Sequence, residues 1–455
     1  MKDRHASIPS ALVIALLACA TTRAQTWVPA VEKMTLANGL TVVLHRDTAV
    51  PYITVNIAFH AGSSRDPQGL HGLASVSAHV YTAALPPGAE QKLRSLRIRH
   101  AVTYNTLTNV DWNNFVITAP ADVLESLLSI EADRMRNRGA SATDSLIGKV
   151  TAALLAQRVK TAKQPLAAVQ ERVFAEVYPD GHPYRHLSTG DTTDLRNTKP
   201  EDVRKFIRLF FNPSHASITI GGDIRVEEAK RLVRKYFADI PPAKPIRWPP
   251  DAKNCPAVPA ASLVHTADVD FSTLQLTFAT VPLGDPDEAP LKMLASLLTG
   301  SGVSRLKRFF RTFNPYVLDV QASQSSQELH GTFQILLTCR PEADLRKVFE
   351  QAMNVLDEIR DGEITADDLL AARNQTEMQI LSPLESIFGF GGRCDAMNLD
   401  NLYTGNPAAT SARIQAMQSV GPSTLRAVLG KYFTKDRVIV LSVVQPTKKD
   451  NAVLF

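Results

Sequence analysis

Histidine side chains are the groups in this sequence with the clearest capacity for metal binding or acid–base chemistry. One group of them lies between positions 60 and 100: His60, His71, His79 and His100. Two histidines four residues apart lie on one face of a helix, and with a nearby glutamate they can bind and use one zinc ion. No pair in this group has that spacing together with a neighbouring glutamate. The group therefore does not predict a metal site.

A second pair of histidines has helical spacing in an unsuitable context. His182 and His186 are four residues apart, with Pro183 between them. Proline has no amide hydrogen and cannot occupy a helix interior without breaking it. We therefore predict that this segment forms a turn and that both histidines have structural roles.

The composition is that of an ordinary globular protein. The chain has 455 residues, of which 44% are hydrophobic and 21% are charged, and its net charge is +5. A chain of this length is too long to fold around a single hydrophobic core. The small net charge does not predict nucleic acid binding. No apolar run after residue 25 is long enough to predict a transmembrane span. The cysteines are too widely spaced to indicate a disulfide framework or a zinc site; they are Cys19, Cys255, Cys339 and Cys394.

The first residues have the pattern of a secretory signal. A short charged start at residues 1–5 precedes an apolar stretch at residues 8–20, and Ala24 ends a small-residue cleavage motif. We predict a signal peptide over residues 1–24 and export to the periplasm or cell envelope. Residues 16–19 also loosely fit a lipid-attachment box. Lipidation at Cys19, giving a lipoprotein, therefore stays open as an alternative.

Prolines divide the remaining chain into two halves. They occur at positions 241, 242, 245, 249, 250, 256 and 259. Proline at this density cannot continue a helix or a central strand. We predict an extended linker over residues 241–260, between an N-terminal domain at 25–240 and a C-terminal domain at 261–455.

The two halves repeat one order of elements. Apolar periodicity predicts strands at 52–59, 102–108, 112–118 and 216–221 in the first half, and at 273–278, 316–322, 331–338 and 438–444 in the second. Helices are predicted at 72–84 and 121–138, and at 290–298 and 343–360. Strand pairs alternating with helices favour an α+β fold, with helices packed on one face of each sheet. The repetition predicts two homologous domains of one sheet plus helices.

Five short motifs follow each other in a recognisable order. Residues 34–44 read MTLANGLTVVL, residues 61–66 read AGSSRD, residues 181–184 read GHPY, residues 212–223 read NPSHASITIGGD and residues 300–306 read GSGVSRL. Their order resembles that of the insulinase/pitrilysin family of zinc metallopeptidases, over essentially the whole chain after the signal. The resemblance implies the same two-domain α+β fold.

The resemblance also implies a damaged zinc site. The family carries His-x-x-Glu-His on its first helix, and the matching residues 75–79 read SVSAH. Ser75 stands at the first histidine, Ala78 at the general base and Gln157 at the downstream glutamate ligand, so that His79 alone is retained. One imidazole cannot hold zinc firmly, and alanine cannot accept a proton. We therefore predict no intact catalytic residue, no metal site and no cofactor in this chain, with zinc only in a partner.

Substrate-binding positions follow from the same resemblance. The family's second half supplies an arginine and a tyrosine that hold the substrate carbonyl in the zinc site of a partner chain. Tyr316 matches the tyrosine, and Arg311, or alternatively Arg308, matches the arginine. Asn105 and Thr108 match an edge strand that binds extended peptides by strand addition.

These features predict a zinc-less insulinase-family subunit that binds peptide and completes the chamber of a zinc-bearing partner. The partner is expected to be a second family member in a heterodimer, or another copy of this chain. Two alternatives stay open. One is a stand-alone peptide-binding or assembly protein without peptidase activity, and the other is an active metallopeptidase with a divergent metal site.

Overall fold

Two β-sheets, each with its own set of helices, make up the structure, a computed structural model that describes residues 29–244 and 258–455. The predicted signal peptide, Cys19 and Cys255 lie outside the described residues, as does most of the predicted linker. The boundaries 25–240, 241–260 and 261–455 therefore stay predictions. No helix in the described ranges is both long and apolar enough to cross a bilayer.

The first half contains a six-stranded sheet. Its strands are β1 (Glu32–Thr35), β2 (Thr41–Arg46), β3 (Tyr52–Phe59), β4 (Thr103–Thr108), β5 (Asn113–Pro120) and β6 (Ala216–Gly222). Its helices are α1 (Leu73–Ala83), α2 (Pro87–His100), α3 (Leu124–Asn137), α4 (Asp144–Thr161), α5 (Pro165–Val177), α6 (Thr192–Asn197), α7 (Pro200–Phe210) and α8 (Val226–Phe237). The spatial order is β1-β2-β6-β3-β5-β4.

The second half contains a five-stranded sheet. Its strands are β7 (Ala261–Thr266), β8 (Ser272–Thr280), β9 (Val317–Ser326), β10 (Gly331–Cys339) and β11 (Val438–Val444). Its helices are α9 (Glu288–Thr299), α10 (Arg305–Phe313), α11 (Leu345–Asp361), α12 (Ala366–Leu381), α13 (Arg393–Thr404), α14 (Ala409–Gln418) and α15 (Pro422–Tyr432). The spatial order is β7-β11-β8-β10-β9.

The two sheets have the same topology once β1 is set aside. In each half the first and last strands pair in parallel, β2 with β6 and β7 with β11. The other neighbours pair antiparallel in the same succession. Matching helices also begin alike, because the hydroxyls of Thr143 and Thr365 cap the first turns of α4 and α12. The predicted α+β fold of two homologous sheet-plus-helices units is confirmed.

Each sheet is covered on its second face by a helix from the other half. α13 packs on β2, β3 and β6, while α5 packs on β7, β8 and β11. Strands β6 and β11 are therefore buried along their whole length, as expected for strands covered on both faces. The sequence predicts helices on one face of each sheet. The structure differs, because a helix from the other half covers the second face.

The two exchanged helices contact their sheets differently, α5 through apolar side chains and α13 through polar ones. α5 contributes Val169, Val173 and Val177 to an apolar cluster with residues of β11 such as Leu441 and Val443. α13 instead faces its sheet with polar side chains that hydrogen-bond to it. The Asp395 carboxylate, for example, accepts hydrogen bonds from the side-chain amides of Asn56 and Asn114. Burial raises the pKa of Asp395, while these amides oppose that rise.

Candidate functional site

A cavity of about 230 Å³ opens between α1, α4 and the edge strand β4. Ser75 and His79 of α1, Gln157 of α4 and Thr108 of β4 all line it. These residues are far apart in sequence, so the fold brings them to one place. The family resemblance gave the same positions as the remains of the zinc site and part of the peptide strand.

Helix α1 begins at a tightly held turn. Gly72 precedes it with a left-handed φ of +100°, a conformation that favours glycine. The Asp66 carboxylate accepts hydrogen bonds from the backbone amides of Gly72 and Ala74, each at 2.7 Å. This satisfies amide groups that the first helical turn leaves unpaired. The cap fixes the start of the helix, and the helical spacing then puts Ser75 and His79 on one face.

The retained histidine is oriented by its own helix. His79 Nδ1 lies 2.9 Å from the main-chain oxygen of Ser75. A carbonyl oxygen only accepts, so Nδ1 carries the proton and Nε2 is the nitrogen left for another partner. Ala78, at the position of the general base, is fully buried and does not line the cavity. Its methyl group packs in the core of the first half.

Arg158 brings a positive charge to the cavity. It lines the cavity beside Gln157 and is only 8% exposed. Its Nε donates to the Gly190 main-chain oxygen at 2.9 Å, and its Nη2 donates to Glu171 Oε2 at 3.2 Å. These two contacts hold the guanidinium in place, and an arginine stays charged at any ordinary pH.

Two stacked histidines lie behind Arg158. The rings of His71 and His186 are 3.5 Å apart, centre to centre. His71 Nδ1 contacts Asp194 Oδ2 at 2.6 Å, and His186 contacts Glu171 at 3.6 Å. Burial lowers the pKa of His186, and the adjacent His71 lowers it further. This pairing gives both histidines structural partners, and His182 is likewise packed in a turn, stacked on Tyr178.

The residues present do not fit zinc. A zinc site in a peptidase uses three protein ligands, commonly two imidazoles and a carboxylate. Of the described residues that line the cavity, His79 is the one imidazole and none is a carboxylate. Across residues 29–244 and 258–455, no group of three or more His, Cys, Asp or Glu side chains is placed to hold a metal ion. A fixed guanidinium in the lining further opposes a bound cation.

Among the strands that the structure describes, β4 lies at the edge of its sheet and pairs with β5 alone. Thr106 and Thr108 face α1 and the cavity, and the Thr106 hydroxyl contacts that of Thr82 at 2.9 Å. The Thr108 hydroxyl donates to Asn113 Oδ1 at 2.6 Å. Asn105 is exposed on the same strand but does not line the cavity.

The second-half candidates lie elsewhere on the surface. Arg308 and Arg311 are exposed on α10, and Tyr316, which is 48% exposed, precedes β9. None of the three lines the cavity of its own chain. This placement leaves them free to contact another molecule.

The family assignment comes from comparison with known proteins. The family described as "Peptidase M16 inactive domain" matches residues 197–376. "Zinc protease PqqE" of Helicobacter pylori is 24% identical over 377 residues, covering 81% of this chain and 83% of that protein. These matches support an insulinase-family, or M16, member of the non-catalytic type.

Other similar proteins include a processing-peptidase subunit and two solved peptidase-like structures. "Probable mitochondrial-processing peptidase subunit beta" of Schizosaccharomyces pombe is 23% identical over 220 residues, 48% of each chain. A crystal structure of a protease from Helicobacter pylori has a TM-score of 0.80 at 20% identity, covering 91% of this chain and all of that one. The peptidase M16 inactive domain from Pseudomonas fluorescens has a TM-score of 0.74 at 18% identity, covering 91% of this chain and 98% of that one. At these identities the solved structures show the shared fold.

Sequence reasoning missed Arg158 and the two hydroxyl residues Ser188 and Thr189, which also line the cavity. Arg158 directly follows Gln157, which the family resemblance had already pointed to. The contact that reveals its role, with Gly190, lies in a loop that no motif connected to α4. Ser188 and Thr189 follow the GHPY motif by a few residues but carry no pattern of their own.

Proposed function

We propose that this chain is a zinc-less subunit that binds peptide and completes the chamber of a zinc-bearing insulinase-family partner. One observation carries the proposal. Ser75, His79 and Gln157 line a single cavity in an intact fold, and the described lining offers one imidazole and no carboxylate. The framework of a peptidase is thus kept, while its metal ligands are replaced.

Peptide binding is supported by the exposed edge of the first sheet. Because β5 is the one described strand that pairs with β4, the other edge of β4 presents backbone N–H and C=O groups that an added strand can pair with. Thr106, Leu107 and Thr108 of this strand also line the cavity. A peptide added along β4 would therefore pass the cavity mouth.

Pairing with a partner is supported by what we call the α10 surface, made of Val303, Arg308, Arg311, Phe313 and Tyr316. Val303 is 64% exposed and Phe313 is 68% exposed. Val303 lies just before α10 and Phe313 ends it, and large exposed apolar side chains that form a contiguous patch mark interaction surfaces. One relative described above is itself named as a subunit. We propose that this surface faces the partner's zinc site, with Arg311 and Tyr316 donating hydrogen bonds to the bound peptide's carbonyl.

Export belongs to the same proposal. Residues 1–24 are proposed to direct the chain to the periplasm or cell envelope, and the zinc-bearing partner would need the same destination. Mass spectrometry of the protein from its native host tests this. A mature chain that begins at Gln25 supports cleavage after Ala24, a lipidated Cys19 supports a lipoprotein, and an uncleaved chain contradicts export by this signal.

The decisive experiment is purification of the chain alone and together with its native partners, followed by zinc analysis and a peptidase assay. We expect the lone chain to contain no stoichiometric zinc and to cleave no peptide. The complex should contain zinc and cleave peptide. Zinc together with hydrolysis by the lone chain would overturn the proposal and favour a divergent active site. Isolation without any zinc-bearing chain would favour a stand-alone binding protein.

A further inference from the structure

The cavity at the position of the family's zinc site favours an anionic ligand, whereas a metal site favours a cation. Apart from the imidazole of His79, the amide of Gln157 and the guanidinium of Arg158, its polar lining consists of hydroxyl groups. These belong to Ser75, Thr106, Thr108, Thr161, Ser188 and Thr189. No described lining residue carries a negative charge. The described lining therefore combines one fixed positive charge with hydroxyl, amide and imidazole groups. Of the hydroxyls, that of Thr108 already donates to Asn113 and that of Thr106 contacts Thr82.

Arg158 has donors left for a ligand. Its Nε and Nη2 are used by Gly190 and Glu171. Among the described residues, nothing accepts a hydrogen bond from its Nη1. Glu171, which neutralises part of the charge, does not itself line the cavity. A guanidinium that is already fixed in place loses little conformational entropy when it binds an anion.

A carboxylate matches this set of groups. An ionised carboxylate only accepts hydrogen bonds, and its bonds to a guanidinium are stronger than bonds between neutral groups. A cationic group would instead meet Arg158 without an acidic partner among the described lining residues. The volume of about 230 Å³ exceeds the ~150 Å³ of a cavity that holds benzene, so it admits one amino-acid residue.

We infer that the cavity binds a carboxylate of the peptide that lies along β4, either the C-terminal carboxylate or an Asp or Glu side chain. The inference rests on the proposed function, since it assumes that the ligand is a peptide. It adds that the degenerate zinc site is a selectivity site for acidic groups.

The test uses the full chain and fluorescently labelled alanine-rich octapeptides, with affinity measured by anisotropy. One peptide has a free C-terminus and a second is amidated. Three further amidated peptides carry Glu, Gln or Lys at a central position. We expect the free-acid or the Glu peptide to bind about tenfold more tightly than its neutral counterpart, as for one charge-assisted hydrogen bond. Which of the two is preferred identifies the source of the carboxylate.

A matched pair of variants locates the effect. Gln157→Glu places a negative charge in the cavity with almost no change of shape, on an exposed position of α4. Gln164→Glu adds the same charge on an exposed residue outside the lining. We expect Gln157→Glu to abolish the tenfold preference. Gln164→Glu should behave as the wild type.

The outcomes separate this inference from the proposed function. Equal binding of acidic and neutral peptides by the wild type overturns the inference alone, and so does a preference that survives in Gln157→Glu. If none of the peptides binds, peptide binding and the inference both fail. Support requires a preference that Gln157→Glu removes and Gln164→Glu keeps.

Discussion

His182 shows how one residue couples stability to pH. The residue is 7% exposed, and its Nδ1 accepts a hydrogen bond from the Tyr184 amide at 3.1 Å. Nδ1 is therefore unprotonated and the ring is neutral. Burial lowers the pKa of His182 from 6.5 to about 4, and nearby His330 of the second half also lowers it. The folded protein thus binds this proton less readily than the unfolded chain does.

The sign of the pH effect follows directly. The stabilisation from neutral His182 is complete above pH 6.5 and is lost as the pH falls towards 4. By pH 5 the loss is about 2 kcal/mol. In His182→Asn an amide oxygen can accept the Tyr184 hydrogen bond without titrating. We expect the free energy of unfolding to fall by about 2 kcal/mol less between pH 7 and pH 5 than in the wild type.

Urea unfolding at the two pH values measures this difference. His100→Asn, at the end of α2, is the control and should keep the wild-type pH dependence. A His182→Asn variant with an unchanged loss would show that other groups carry the effect.

A second prediction at the residue scale concerns the metal. The double variant Ser75→His and Gln157→Glu returns an imidazole and a carboxylate to a cavity where His79 already leaves Nε2 available. We expect it to bind about one zinc ion per chain, because three protein ligands then converge. Elemental analysis after dialysis measures this. Ser75→His with Gln164→Glu, whose carboxylate lies outside the cavity, should bind little zinc, and equal zinc in both variants would show that these positions are not the ligand sites.

At the scale of elements, α13 depends on its polar contacts with the first sheet. Asp395 Oδ1 accepts from Asn56 and Asn114, and its Oδ2 accepts from the Gly391 amide at 2.7 Å. In Asp395→Asn one of these donors must face an NH₂ group. We expect a loss of about 1–3 kcal/mol in the free energy of unfolding, the usual cost of an unsatisfied buried group.

Denaturant unfolding tests the Asp395→Asn variant. Asp367→Asn, at an exposed position in the first turn of α12, removes the same charge and should change stability little. If both variants behave alike, the buried carboxylate has no special part in holding α13 on the sheet.

The elements were largely predictable from the sequence, but their exchange between halves was not. The strand predicted at 52–59 is β3 (Tyr52–Phe59), and the strand predicted at 438–444 is β11 (Val438–Val444). Apolar periodicity is a local signal, so it finds such strands. The partner of Asn56 on α13 is 339 residues away in the chain. From sequence alone, a polar residue in a strand is predicted to face solvent, because a hydrogen-bond partner so far away in the chain cannot be recognised.

The positions of the candidate site were predicted in part, while their roles stay predictions. Motif spacing pointed to Ser75, His79 and Gln157, which the fold does bring to one cavity. The positive character of that cavity comes from Arg158, whose orientation depends on Gly190 in a separate loop. A single sequence contains no pattern for such a contact.

At the scale of the whole molecule, the α10 surface should act on another chain. Arg311 and Tyr316 are exposed and outside the cavity of their own chain. In the proposed complex with a zinc-bearing partner, Arg311→Ala and Tyr316→Phe should each lower kcat/KM by roughly 100- to 1,000-fold, the range for losing one donor to a developing oxyanion. Circular dichroism of the lone variants should match the wild type, since the changed groups are exposed.

Arg308→Ala is the matched control for the Arg311 prediction, because both arginines are exposed on α10. It should leave kcat/KM nearly unchanged. A large effect of Arg308→Ala alone would assign the role to Arg308 instead. If all three variants have full activity, this surface does not reach the partner's substrate.

The exchanged helices have a mechanical consequence. Moving the halves apart like a clamshell would pull α5 off the second sheet and α13 off the first at the same time. That motion would expose the valines of α5 to water and break the hydrogen bonds of Asp395, and both costs oppose it. The two halves of the chain should therefore move together as one rigid body. In the proposed complex, any gate through which a peptide enters would therefore lie between the two chains, with the hinge outside this chain.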